Sequence, residues 1–149
     1  MLTFRDIRPE DRDIVVPMVV KFYTTDAVDH PVPTAILSRA FEDVANPDQP
    51  LARGVLIQEG ETVMGYLYWT PCYSCEVGGV CILIEELFIL EEYQGRGYGR
   101  QAMDWIMAQY PDCRRLRLEV TQVNQRAVHL YESLGFTYLR YDQMVLDRP

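Results

Sequence analysis

Near residue 97 the chain reads Gln94-Gly95-Arg96-Gly97-Tyr98-Gly99-Arg100, with three glycines at alternate positions and two arginines among and after them. Glycine reaches positive φ and lets a ligand approach the main chain with no Cβ in the way. Downstream, "YGRQAMDWIMAQY" places Ala102, Met103, Ile106, Met107 and Tyr110 at helical spacing. The first N–H groups of a helix lack internal partners, and the dipole there favours negative charge. Arg96 and Arg100 add charge-assisted donors suited to phosphate oxygens. A plain turn needs only one or two special φ values. These residue types at this spacing predict a cradle for a diphosphate. It is not a P-loop, which requires Lys and then Ser or Thr where Arg100 and Gln101 stand. Nor is it the dinucleotide fingerprint, which spaces its glycines G-x-G-x-x-G at the first strand of a βαβ unit.

The elements that must position this turn are legible as patterns. "LTFRDIR" alternates as a first strand, and "PEDRDIVVPMVVKFY" reads as a helix opened by acidic residues and kinked at Pro17. "TTDAVDHPVP" is a loop. "TAILSRAFEDVA" is an amphipathic helix with Ile36, Leu37, Ala40, Phe41 and Val44 on one face. "GVLIQEGETVMGYLYW" is a hairpin turning at Glu59 to Glu61, and "GGVCILIEELFIL" is the strand that feeds the glycine turn. "RRLRLEVT" alternates as a further strand. In "NQRAVHLYESLGF", Asn124 is a good N-cap, Gly135 fits the left-handed C′ position and Phe136 can pack back on the last turn. "TYLRYDQMVL" reads as a final strand pair. This order predicts an α/β sheet of mixed direction, antiparallel at the hairpin and parallel across the helical crossovers.

The chain has 149 residues, a size that predicts one domain over 1–149 with a substantial core. Its 48% apolar and 24% charged residues are those of a globular protein, and no apolar run is long enough to span a bilayer. The N-terminus carries no signal-peptide pattern, so the expected location is cytoplasmic, with no membrane partner. A net charge of −8 argues against nucleic acid, which is bound through clustered Lys and Arg. That charge suits a cationic small molecule, and solubility accounts for it equally well. Cys72 and Cys75 form a lone C-x-x-C; with Cys81 and Cys113 they read as scattered reduced thiols and no metal site is expected.

At the glycine turn the sequence resembles the GNAT superfamily of acyl-CoA-dependent N-acetyltransferases. The family motif of Gln or Arg, two residues, Gly, one residue, then Gly or Ala is matched by Gln94, Gly97 and Gly99. The resemblance runs from Glu85 to Phe136 and takes in "EELFIL", Asn124 and "LYESLGF". It implies a mixed, mostly antiparallel central sheet of about six to seven strands, flanked by about four helices, with a splayed cleft between two central strands. It implies acetyl-CoA as co-substrate. The main chain of Leu87, Phe88 and Ile89 would pair with the pantetheine arm, and the N–H groups of Gly95, Arg96, Gly97, Tyr98, Gly99 and Arg100 would take the pyrophosphate. Gln94 belongs to the same turn, and Asn124 would reach the coenzyme side while also capping its helix.

The activity implied is direct transfer of the acetyl group to a primary amine, either a small cationic amine or a peptide amine. A homodimer is one assembly the resemblance allows. A lysine-like amine of pKa about 10.4 is neutral roughly once in 2,500 at pH 7, a penalty of about 4.6 kcal/mol. A base must therefore take its proton. Some relatives use a glutamate matching Glu85 and others one matching Glu119; both are present, and the resemblance does not choose between them. Glu86 is disfavoured because strand parity places it on the face opposite Glu85. Tyr131 resembles the family's general acid toward the departing thiolate. "FYTTDAVDHPVP" supplies Tyr23, Asp26, Asp29 and His30 in the loop that borders the acceptor site in such enzymes. The alternative is a non-catalytic CoA-binding sensor or scaffold, which would keep the turn and lose the acid and base.

Overall fold

The computed structural model describes residues 1–149. Its sheet has five strands in the order β1-β2-β3-β4-β5: β1 (Leu2–Asp6), β2 (Arg53–Glu59), β3 (Thr62–Ser74), β4 (Gly79–Ile89) and β5 (Arg115–Leu118). The first three pairings are antiparallel and β4–β5 is parallel. The helices are α1 (Arg12–Phe22), α2 (Thr34–Val44), α3 (Tyr98–Gln109) and α4 (Gln125–Ser133). α1 runs on through Pro17. No helix is long and apolar enough to cross a membrane.

The alternation of β2 and β3 splits the core into two layers. Leu56, Tyr66 and Tyr68 pack with Val15, Val19 and Phe22 of α1 and with Leu37 and Phe41 of α2. Val55, Ile57, Leu67 and Trp69 pack with Ala102, Met103 and Ile106 of α3, and Tyr131, Leu134 and Phe136 close this layer from the α4 side. The mixed α/β architecture and the four helices agree with expectation.

The strand count does not. Where six to seven strands were expected there are five, because "TYLRYDQMVL" forms no strand pair. Beyond Phe136 the main chain makes no hydrogen bond to main chain. The tail is attached through side chains: the Tyr141 hydroxyl donates to Glu76 at 2.6 Å, and Gln143 donates to Glu119 at 3.0 Å. Met144, Val145 and Leu146 are at least 83% exposed. Strand-forming residues make a strand only where one face has a layer to bury it, and no layer covers this end.

β5 is shorter than its pattern. It pairs with β4 only from Cys81–Arg115 to Ile84–Leu118, so β4 continues to Ile89 with no partner on that side. At the same place β4 bulges: Tyr68 pairs with Glu86 and Trp69 with Ile84, leaving Glu85 unpaired. The extra residue reverses which face each later side chain meets. Ile82 and Ile84 lie in the α3 layer, whereas Phe88 lies in the α1/α2 layer.

A second bulge bends the β2–β3 pair at Ile57/Gln58 and brings Gly65 against β4. A Cβ on Gly65 would sit 1.9 Å from the Phe88 carbonyl oxygen, a main-chain clash that no rotamer relieves. Gly65→Ala is therefore expected to cost about 2–3 kcal/mol, the usual scale of overpacking. The measurement is a urea melt, in which the midpoint falls at unchanged slope. An unaltered midpoint would mean that the strands part freely here.

Candidate active site

Where β4 and β5 separate, a cleft of about 610 Å³ opens. One wall is β4, through Leu87, Phe88 and Ile89. The floor is the glycine turn, through Gln94, Gly95, Gly97, Tyr98, Gly99 and Arg100. The opposite wall is α4 with Asn124, Ala127, Leu130 and Tyr131, and Thr25, Asp26 and Ala27 approach from the α1–α2 connection. The expected coenzyme residues thus converge, with one exception. The Arg96 side chain turns away, its guanidinium 5.7 Å from the Tyr93 ring centre and donating to the Glu92 carbonyl.

The turn owes its shape to two of its three glycines. Gly95 and Gly97 have φ of 78° and 79°, and Gly97 is the N-cap of α3. An L side chain in that region costs about 1–2 kcal/mol. Gly99 lies inside the first turn of α3, where an added Cβ would come within 3.3 Å of Leu130 Cδ2. Its part is to let α3 pass close to α4. No N–H from Gly95 to Arg100 reaches a main-chain acceptor; the first helical bond is donated by Gln101 to the Gly97 carbonyl. A run of N–H groups without main-chain partners thus stands at the positive end of a helix, among residues that line the cleft. Such a run suits an anion with several oxygens.

Side chains lock the turn to its neighbours. Gln94 donates to the Ile89 carbonyl at 2.9 Å and accepts from Arg126 at 2.8 Å. Arg100 donates to Ser133 Oγ at 2.6 Å. Arg126 is a cleft residue that sequence reasoning missed; only its place in the first turn of a helix already assigned to the coenzyme side could have marked it. Asn124 caps α4 by accepting from the Ala127 N–H, as expected, and it also lines the cleft. At the other end Phe136 N–H donates to the Tyr131 carbonyl and Gly135 N–H, at φ 97°, to that of Glu132. That is a Schellman closure, with the Phe136 ring 5.8 Å from Tyr131 as its apolar contact.

Tyr131 is half-buried in the cleft, and burial pushes its pKa up to about 12. Glu85 is the bulge residue, and it is exposed. Loss of hydration and then the nearby Glu119 carboxylate hold its carboxyl above the usual range. Glu119 lies just past the end of β5, exposed and held by Gln143. Glu86 does lie on the other face, but it is far from idle. It is buried, accepting from Tyr66 at 2.7 Å and from Tyr23 at 2.9 Å. Tyr23 and Asp26 stand near the cleft, while Asp29 and His30 bond each other on the exposed loop.

Comparison with known proteins agrees with this geometry. The model of the Acetyltransferase (GNAT) family matches residues 18–136. Among curated relatives, a thialysine N-epsilon-acetyltransferase of Bos taurus is 34% identical over 79 residues, covering 52% of this chain and 46% of that protein. A spermine/spermidine N(1)-acetyltransferase of Bacillus subtilis (strain 168) is 29% identical over 87 residues, covering 56% and 57%. The aligned region thus spans about half the length of these relatives. Among solved structures, a possible acetyltransferase from Clostridium difficile 630 superposes with a TM-score of 0.81 at 17% identity, over 100% and 99% of the two chains. The aminoglycoside N-acetyltransferase AAC(6')-Iy, in complex with CoA, superposes at 0.74 with 13% identity, over 100% and 96%. The glycine turn, the parted strands and the doubly capped α4 all fall within the matched residues, and the chain belongs to the acetyltransferase (GNAT) family.

Proposed function

We propose that the protein is an acetyl-CoA-dependent N-acetyltransferase that acts on a small cationic primary amine, with residues 1–149 forming a single catalytic domain. The observation that carries this reading is the run of free N–H groups from Gly95 to Arg100 at the floor of a cleft whose wall is an unpaired strand edge. The turn matches a diphosphate: consecutive donors, a helix N-terminus and the Arg100 guanidinium. The free edge of Leu87–Ile89 suits the amide-bearing pantetheine arm by strand addition. Acetyl-CoA supplies an activated thioester, and the chain has only to orient the amine, take its proton and ease departure of the thiolate.

Glu85 is the base. It stands at the end of the unpaired β4 stretch away from the glycine turn, where the acyl end of a coenzyme laid along β4 would come. Its raised pKa improves it as a proton acceptor. Glu119 serves through its charge, holding Glu85 basic. Tyr131 supports the leaving group, and burial refines its role. With a pKa of about 12, against about 8.5 for an ordinary thiol, full proton transfer to the thiolate is uphill. Tyr131 therefore donates a hydrogen bond to the developing charge, and solvent supplies the final proton. The choice of acceptor rests on the net charge of −8, on Tyr23 and Asp26 near the cleft, and on relatives named for thialysine and for spermine and spermidine.

Calorimetry with CoA and acetyl-CoA, followed by thiol release over a panel of amines, tests the proposal. Binding with turnover of small diamines is expected. Absence of binding removes the coenzyme reading, and binding without turnover makes the protein a sensor or scaffold.

Tyr131→Phe is expected to lower kcat by about 100-fold or more, the scale of losing one positioned donor, with CoA affinity unchanged. An unaltered kcat removes Tyr131 from the mechanism. The pH profile tests Glu85. The reaction needs its carboxylate ionised and the amine neutral, so log kcat/KM should rise with slope two below the Glu85 pKa and slope one above it. Because the Glu119 charge raises that pKa, Glu119→Gln should move the break to lower pH. A break that stays in place, or moves upward, refutes the pairing.

A further inference from the structure

Glu86 has no place in the chemistry above, yet its setting is unusual. Only two polar or charged residues are buried, Asp11 and Glu86. Asp11 is met by the Arg5 guanidinium through bonds of 2.9 and 3.0 Å. Glu86 has no cation, only tyrosine hydroxyls. An apolar side chain of similar size commonly serves stability as well as a buried charge does, so packing alone gives no reason for this carboxylate.

Its two oxygens face different parts of the fold. Oε1 accepts from Tyr66, which is fully buried and wedged among Phe22, Tyr68 and Phe88 at centroid distances of 4.9 to 6.4 Å. This side is rigid. Oε2 accepts from Tyr23, which ends α1 and begins the connection to α2. The next residues fold back on the helix end, Thr24 donating to the Lys21 carbonyl and Thr25 to that of Phe22. Thr25, Asp26 and Ala27 then line the cleft. Finally the Asp26 carbonyl accepts from the Thr121 hydroxyl, in the segment after β5. The connection is thus pinned to β4 by Tyr23 and to the β5 side by Asp26. It bridges the gap where the two strands part.

We propose that Glu86 is a positioning residue for the acceptor: through the Tyr23 hydroxyl it holds in place the segment 24–27, whose Thr25, Asp26 and Ala27 line the cleft. The proposal rests on the reading of the cleft as an acetyltransferase site. The glycine turn follows the far end of the unpaired β4 stretch, and its side-chain hydrogen bonds run to Ile89, Ser133 and Arg126, none to this clasp. Loss of the clasp should therefore weaken acceptor binding and leave the coenzyme untouched.

Tyr23→Phe removes one hydroxyl and keeps the ring that packs on Phe22, so it is the primary variant; Glu86→Gln is the second. Hydrogen exchange should accelerate by about tenfold at residues 24–27 in Tyr23→Phe and remain unchanged in β2 and β3, the scale of one hydrogen bond to a charged group. In steady state, the acceptor KM should rise by about tenfold, with kcat and the acetyl-CoA KM within about twofold of wild type. Unchanged exchange overturns the clasp. Faster exchange with an unchanged acceptor KM, or a matching rise in the acetyl-CoA KM, overturns the positioning role. If the wild-type protein binds CoA but acetylates no amine, the enzyme reading fails by itself, and the exchange result still decides the clasp.

Discussion

The parting of β4 from β5 after Ile84 and Leu118 is the constraint on which the rest of the molecule depends. A main-chain edge in the middle of a sheet normally finds its partner in the next strand, because unpaired N–H and C=O groups shielded from water are costly. Here the next strand stops and β4 goes on. The exposed edge is then available to a ligand with amide groups of its own. The same strand delivers the chain into the glycine turn, so edge and turn are continuous. The bulge at Glu85 sits at the point of parting. It leaves one carboxylate without a strand partner and turns Glu86 and Phe88 into the α1/α2 layer. Gly65, pressed against the Phe88 carbonyl, keeps β3 close enough to support this stretch from the other side.

The cleft is held rigid from two directions. On one side the glycine turn is joined to β4 by Gln94 and to α4 by Arg126 and Arg100. Helix α4 is short, and both of its ends are satisfied, by Asn124 and by the Gly135–Phe136 closure. Tyr131, carried one turn from that closure, is therefore set by capping as much as by packing. On the other side, Glu86 of β4, Tyr66 of β3 and Tyr23 just past α1 form a separate polar group.

Much of this was legible in order along the chain. Gly97 and Gly95 adopt the left-handed conformations that their spacing suggested, and Asn124 and Gly135 cap α4 as read. These are local properties: a φ value, a cap or a helix face is decided by a few neighbouring residues. Arg96 shows the limit of that reasoning, since proximity in sequence to a phosphate turn does not aim a side chain at it. Gly99 shows another, because its contact is with Leu130 on a different helix. The tail shows a third: "TYLRYDQMVL" has the residue types of a strand but finds no layer to cover it.

The amino-acid sequence by itself determined the helices, the mixed sheet, the glycine turn and the residue types available for acid–base work. Tertiary structure alone decided where β5 stops, that β4 bulges at Glu85, and that Glu86 is buried between two tyrosines distant in sequence. The reason is physical. Strand register and burial depend on side chains brought together from separate elements, and a one-residue slip exchanges the two faces of a strand without altering its pattern.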